Sequence, residues 1–247
     1  MRYFIQLSYR GTNYHGWQFQ PNSRSIQEDL ELAFSTILRE EIKIVGAGRT
    51  DTGVHASFFI AHFEYYKIID DTEKLIYKLN SFLSRDISIH KIFEVKENSH
   101  ARFDAISRSY KYYINERKNP FYQDSSFYYS HSLNINLMNE ACKILFKHKN
   151  FTSFSKLHTD TKTNNCKILY AQWTYEDDRL CFTIEADRFL RNMVRAIVGT
   201  MIDIGTEKIS NLEFEKIIES KNRSNAGFSV PPQGLFLTNI KYPKSIF

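Results

Sequence analysis

The stretch Gly46 to Ala56, G-A-G-R-T-D-T-G-V-H-A, holds a combination of residues suited to chemistry. Arg49 and Asp51 lie two residues apart, and Gly46, Gly48 and Gly53 surround them. Glycine lets a backbone pass close to another molecule or adopt a positive φ. A carboxylate and a guanidinium on a turn braced by strands can line a pocket. Taken alone, a connection rich in Gly, Thr and Asp is usually only a turn. His55 by itself is likewise more often a packing or surface histidine than a catalyst.

Two further segments carry suggestive spacing. Arg188, Arg191 and Arg195 recur three and four residues apart, which places them on one face of a helix expected over Phe189 to Ile204. Leu190, Val194, Ile197, Val198 and Met201 form the apolar stripe of that helix. A solvated basic face explains the pattern without function. A face aimed at phosphates or at a buried carboxylate explains it with function. From Arg102 to Tyr113 the chain reads R-F-D-A-I-S-R-S-Y-K-Y-Y, with basic and aromatic residues interleaved. Arginine can meet phosphate while a tyrosine ring stacks on a base, although tyrosines are also common in ordinary strands.

The elements that must position these residues follow from periodicity. Tyr3, Ile5, Leu7 and Tyr9 share one face of a first strand. Ser25 and Glu28 have the spacing of a capping box, and Ile26, Leu30, Ala33, Phe34, Ile37 and Leu38 continue a helix behind it. A short strand over 42–47, a strand from Phe58 to Tyr66, a helix marked by Leu75 to Leu83 and a strand from Ile87 to Val95 complete a βαββαβ order. Much of that order recurs: strand Tyr110 to Asn115, helix Leu137 to Phe146, strands Ile168 to Tyr175 and Cys181 to Ala186, the helix from Phe189, a weaker helix from Leu212 to Ile218, and strand Leu235 to Tyr242. The reading is α+β: two tandem ferredoxin-like halves with antiparallel sheets, residues 1–105 carrying the Asp51 loop and residues 106–247 following.

Composition sets the class. The 247 residues are 42% apolar and 25% charged, near a globular average. Thirty-three Lys and Arg against 28 Asp and Glu leave a net charge of +5, which suits a polyanion only if gathered on one face. Cys142, Cys166 and Cys181 are odd in number and lack C-x-x-C spacing, which argues against a disulfide framework or structural zinc and fits a reduced cytoplasm. The N-terminus lacks the basic-then-apolar pattern of a signal peptide, and no apolar run nears the roughly 20 residues that span a bilayer.

G-R-T-D-T-G-V-H-A resembles the signature of the TruA family of tRNA pseudouridine synthases. Tyr9 to Gln20, Y-R-G-T-N-Y-H-G-W-Q-F-Q, resembles the family's N-terminal motif. His100 to Tyr113, Phe151 to Ser155, Phe189 to Gly199 and Pro232 to Leu237 resemble further family segments, in family order and across almost the whole chain. Arg10, Ser84 and Asn150 depart from the usual Asp, Pro and Asp, and none lies in the G-R-T-D segment.

The resemblance implies a pseudouridine synthase fold with a central active-site cleft. It implies isomerisation of uridine at positions 38, 39 and 40 of the tRNA anticodon stem-loop, without metal or organic cofactor, by a homodimer in which one tRNA touches both subunits. It assigns Asp51 as the essential carboxylate and Arg195 as the cation that keeps it ionised. Arg49 helps displace the target base and occupies the space it leaves, Tyr110 stacks on the uracil, and Leu235 forms an apolar wall. Three routes stay open to Asp51: attack at C1′, attack at C6, or removal of a sugar proton. Rival readings fare worse. The chain lacks the aromatic RNP run of a non-catalytic RRM, and Asp51 with His55 lacks a further ligand set for a metal-dependent hydrolase. A relative with another RNA target is not separable from sequence.

Overall fold

Strand β1 (Arg2–Tyr9) lies between β3 (His55–Glu64) and β4 (Ile87–Val95) and is antiparallel to both. The computed structural model describes residues 1–156 and 163–246. By compactness the chain divides into one unit of Met1–Ile106 with Phe236–Phe247 and another of Ser107–Leu235. The sequence reading carried the second half to residue 247, whereas the closing residues group with the first unit.

In the first unit β2 (Ile44–Gly46) pairs with the end of β3, at Phe63 to Ala61. The start of β3 pairs in parallel with β9 (Leu235–Lys241), His55 against Phe236 and Ala56 against Leu237. Helices α1 (Ile26–Leu38) and α2 (Thr72–Phe82) bring the buried faces Ile26, Leu30, Ala33 and Phe34, and Leu75, Ile76 and Leu79. Ser25 caps α1 by accepting from Glu28 N–H at 3.2 Å. Tyr3 stacks on Phe63 and Phe34 meets Phe63 at 4.9 Å, which joins β1, β3 and α1 in one core. The alternation in β1 places Phe4 on the opposite face, yet Phe4 is fully buried. His62, Phe93 and Tyr242 cover it. The sheet is thus aromatic on both faces, which a period of two does not report.

In the second unit β5 (Ser107–Asn115) is antiparallel to β8 (Arg179–Ala186), which is antiparallel to β7 (Ile168–Glu176). The two-residue β6 (Phe127–Tyr128) adds to β5 in parallel. Helices α3 (Ile135–Leu145), α4 (Met193–Gly205) and α5 (Asn211–Ser220) complete it. Trp173 of β7 stacks on Phe182 of β8 and donates its indole N–H to Met201 Sδ of α4 at 3.3 Å. The chain is α+β and mostly antiparallel.

The structure corrects two expectations. Strand β3 begins at His55 rather than Phe58, because its first residues pair with β9, a partner about 180 positions later in the chain. Helix α4 begins at Met193, not Phe189. Asn192 has φ of 68°, a left-handed conformation that asparagine tolerates and a helix cannot continue through. Arg188 and Arg191 therefore lie outside the helix and share no helical face with Arg195. All of α4 except Arg195 and Asp203 is buried, so it is a core helix rather than an amphipathic one with a solvated basic face.

All three cysteines are buried, and burial pushes each thiol up to about 12. Among the described residues no helix is long and apolar enough to cross a membrane.

Candidate active site

Asp51 and Arg49 sit on the connection between β2 and β3. Arg49 is exposed and Asp51 half-buried, while Thr50 between them is buried. The chain turns directly after Asp51: its carbonyl accepts from Val54 N–H at 3.1 Å, and Gly53 takes φ of 77°. Ala47 N–H bonds Ile60 O at 2.8 Å and ties the near end of the loop to β3.

The rest of the loop is held by the segment after β1. Trp17 N–H donates to Thr50 O at 3.3 Å, and Gly53 N–H donates to Tyr14 O at 3.3 Å. The Tyr9 hydroxyl lies 2.9 Å from the Thr50 hydroxyl in a buried pair. Gly11 N–H donates to His55 Nδ1 at 3.1 Å. Gly16 makes the close approach possible: its φ is 89°, and a Cβ there would lie 2.3 Å from Thr50 O.

That segment is itself anchored. Trp17 stacks on Phe59 at 4.1 Å, with Tyr9 beside both rings. The Tyr14 hydroxyl donates to Asp29 at 2.9 Å and lies 2.8 Å from the Ser84 hydroxyl, and burial pushes its pKa up to about 12. Asp51 thus projects from backbone fixed on both sides, which is what a base or nucleophile needs for little reorganisation. His55 is a packing residue, 2% exposed and stacked on Phe236.

Tyr110, Arg195 and Leu235 belong to the second unit. Tyr110 lies on β5 opposite Ile184, half-buried, with its ring edge-on to Phe189 at 5.1 Å. Arg195 donates Nε–H to Val230 O at 2.7 Å, and Val230 N–H returns a bond to Arg195 O at 3.2 Å. Two residues from Tyr110, on the same strand face, Tyr112 donates its hydroxyl to Pro231 O at 2.8 Å. The run Val230 to Leu235 is therefore held by both α4 and β5. Burial pushes the Tyr112 phenol up, and the charge of Arg195 opposes that shift. Leu235 is 6% exposed at the start of β9.

A family model described as tRNA pseudouridine synthase matches residues 6–104 and 141–243. The chain belongs to the tRNA pseudouridine synthase family. A tRNA pseudouridine synthase A of Bacteroides fragilis is 55% identical over 247 residues, 100% of this chain and 98% of that protein. Proteins of the same name from Porphyromonas gingivalis and Thermoanaerobacter sp. are 49% and 41% identical, over 100% and 96% of this chain and 99% and 98% of theirs.

Asp51, Arg49, Arg195 and Leu235 lie inside the segments matched to the tRNA pseudouridine synthase model, and Tyr110 lies between them. The departures from the usual pattern are accommodated locally. Ser84 hydrogen-bonds the buried Tyr14 hydroxyl. Asn150 Oδ1 accepts from both the backbone and the hydroxyl of Thr152 at 3.0 and 2.6 Å, bonds an aspartate would also make. Arg10 holds the chain by its backbone N–H, to Asp86 O at 2.8 Å. Sequence reasoning matched Tyr9, Tyr14, Gly16 and Trp17 to a motif but assigned them no task. Their task is to hold the loop that carries Asp51.

Proposed function

We propose that this chain isomerises uridine to pseudouridine in tRNA, at positions 38, 39 and 40 of the anticodon stem-loop, with Asp51 as the essential carboxylate. The observation that carries this reading is the clamped Asp51 loop, in a chain similar from end to end to proteins named tRNA pseudouridine synthase A.

The target base leaves the stack before reaction, because its sugar and base edges are otherwise inaccessible. Arg49, exposed beside Asp51, takes part in that displacement and fills the space left. The N1–C1′ bond breaks, the uracil turns, and C5 joins C1′. C5 then gives up its proton and N1 gains one, so the product is an isomer. Asp51 attacks C1′ or C6 or removes a sugar proton, and each route uses its charged form. Arg195 is the cation assigned to favour that form. Tyr110 stacks on the uracil, Leu235 supplies an apolar wall, and retention of the detached base makes rejoining effectively intramolecular. Further parts of the proposal are a cytoplasmic homodimer whose two subunits share one tRNA.

Tritium release from tRNA labelled at uridine C5 tests the activity, and site-by-site pseudouridine mapping tests the positions. Absence of release with bound tRNA would reject the reading. Tyr110 gives a second expected outcome. Tyr110→Phe keeps a ring that can stack, and Tyr110→Leu does not. Stacking requires Phe to retain clearly more single-turnover activity than Leu. Equal loss in both, with tRNA still bound, would move the role to the hydroxyl and the C5 proton.

A further inference from the structure

Side chains fasten the segment Ser99–Asp104 at backbone groups from the Ser99 carbonyl to the Phe103 N–H. Arg2 donates to Ser99 O at 2.7 Å. Asp104 accepts from His100 N–H at 2.7 Å, and Asp104 N–H returns a bond to His100 O at 3.1 Å. His62 Nδ1 accepts from Ala101 N–H at 3.2 Å, and the Tyr242 hydroxyl donates to Ala101 O at 2.5 Å. His100 Nδ1 accepts from the N–H groups of Arg102 and Phe103, at 3.1 and 3.3 Å. Burial pushes His62 down to about 4, helped by His100 and Arg2 and opposed by Glu64 and Asp104. It is neutral at ordinary pH and keeps an acceptor for Ala101.

This bracing does not serve to bury the loop's own large side chain. Ala101 is fully buried, but Phe103 is 74% exposed. One side of its ring meets the His100 ring at 4.3 Å, and the exposed Arg102 guanidinium lies 5.7 Å from its centroid. A loop already ordered loses little entropy when something binds it. A rigid, exposed aromatic ring with an arginine beside it matches an unstacked base with its phosphate, because the ring offers a stacking face and the guanidinium a charge.

We infer that Phe103 and Arg102 form an RNA contact apart from the residues assigned to the reaction, in which Phe103 stacks on an unpaired base of the tRNA and Arg102 meets a neighbouring phosphate. The inference rests on the reading of this chain as a tRNA-modifying enzyme.

The test uses the full chain and an unmodified tRNA transcript. Affinity is measured at several salt concentrations for wild type, Phe103→Ala, Phe103→Trp and Arg102→Ala, beside thermal melts, mass in solution and single-turnover rates at saturating tRNA. Phe103→Ala is expected to melt like wild type and to weaken binding on the order of 10-fold or more at every salt, as for loss of one base stack. Its saturated rate is unchanged, because the contact is not with the reacting base. Phe103→Trp restores affinity, since any ring can stack. Arg102→Ala lowers the slope of log affinity against log salt by about one phosphate contact. Wild-type affinity in Phe103→Ala overturns the inference. So does a fall in oligomer mass that accounts for lost affinity, which would make the ring a contact between two copies of the chain. Wild-type protein that binds tRNA but forms no pseudouridine would defeat the catalytic reading alone.

Discussion

Asp51→Asn is expected to lose pseudouridine formation by about 10⁴-fold or more, while tRNA affinity stays near wild type or rises. Asparagine keeps the shape of the side chain and removes its charge. The loss should match or exceed the upper end for a general base, and go further if Asp51 is a nucleophile. Affinity is set mainly by contacts to phosphate, and a carboxylate facing a polyanion contributes none of them. Asp51 is half-buried, and its loop is held through Thr50, Gly53 and Val54, so the substitution leaves the fold intact. Single-turnover tritium release with saturating enzyme separates chemistry from binding. An Asn variant within 10-fold of wild type, by order of magnitude, would remove Asp51 from the reaction. Loss of binding together with activity would instead make it a recognition residue.

Gly16→Ala is expected to damage both stability and rate, although Gly16 is absent from the assigned reaction. Its φ of 89° lies where L-residues are strained, at a cost of roughly 1–2 kcal/mol. The added Cβ would fall 2.3 Å from Thr50 O and 3.2 Å from the Asp51 carbonyl carbon, both backbone atoms. Relieving such overlap costs about 1–3 kcal/mol more. At roughly 2–4 °C per kcal/mol for a chain of this size, the melting temperature should fall by about 10 °C. Relief also pushes the Thr50–Asp51 peptide outward, and a displacement of about 1 Å at a reacting group costs on the order of 100-fold in rate. Gly48→Ala is the control: a Cβ there meets nothing within 4 Å, and its φ is not left-handed. Its melt should match wild type. If Gly16→Ala, assayed well below its melting temperature, turned over like wild type, the clamp would be structural only.

The elements and the Asp51 loop were legible for a common reason. Tyr3, Ile5, Leu7 and Tyr9 alternate along β1 and are all buried, and Ser25 precedes α1 because its first N–H groups need an acceptor. These signals are local, and a linear sequence displays them directly. Expectations failed where a single backbone conformation or a distant partner decided. Apolar spacing continues back from α4 through Leu190, yet Asn192 breaks the helix there, and Leu190 is buried by tertiary packing. Phe4 reads as outward by alternation, but Tyr242, near the far end of the chain, helps cover it.

By itself, the sequence determined the α+β class, the order of helices and of every strand but the two-residue β6, and the candidate carboxylate and its family, since these reside in short-range periodicity and contiguous motifs. Only the tertiary structure decided which residues hold that carboxylate. The bonds of Tyr9 and Trp17 to Thr50, of Tyr14 to Gly53 and of Gly11 to His55 join segments more than 30 residues apart. No periodicity spans that interval. Such contacts exist only after β1 and β3 have paired, which brings the loop after one strand against the loop before the other.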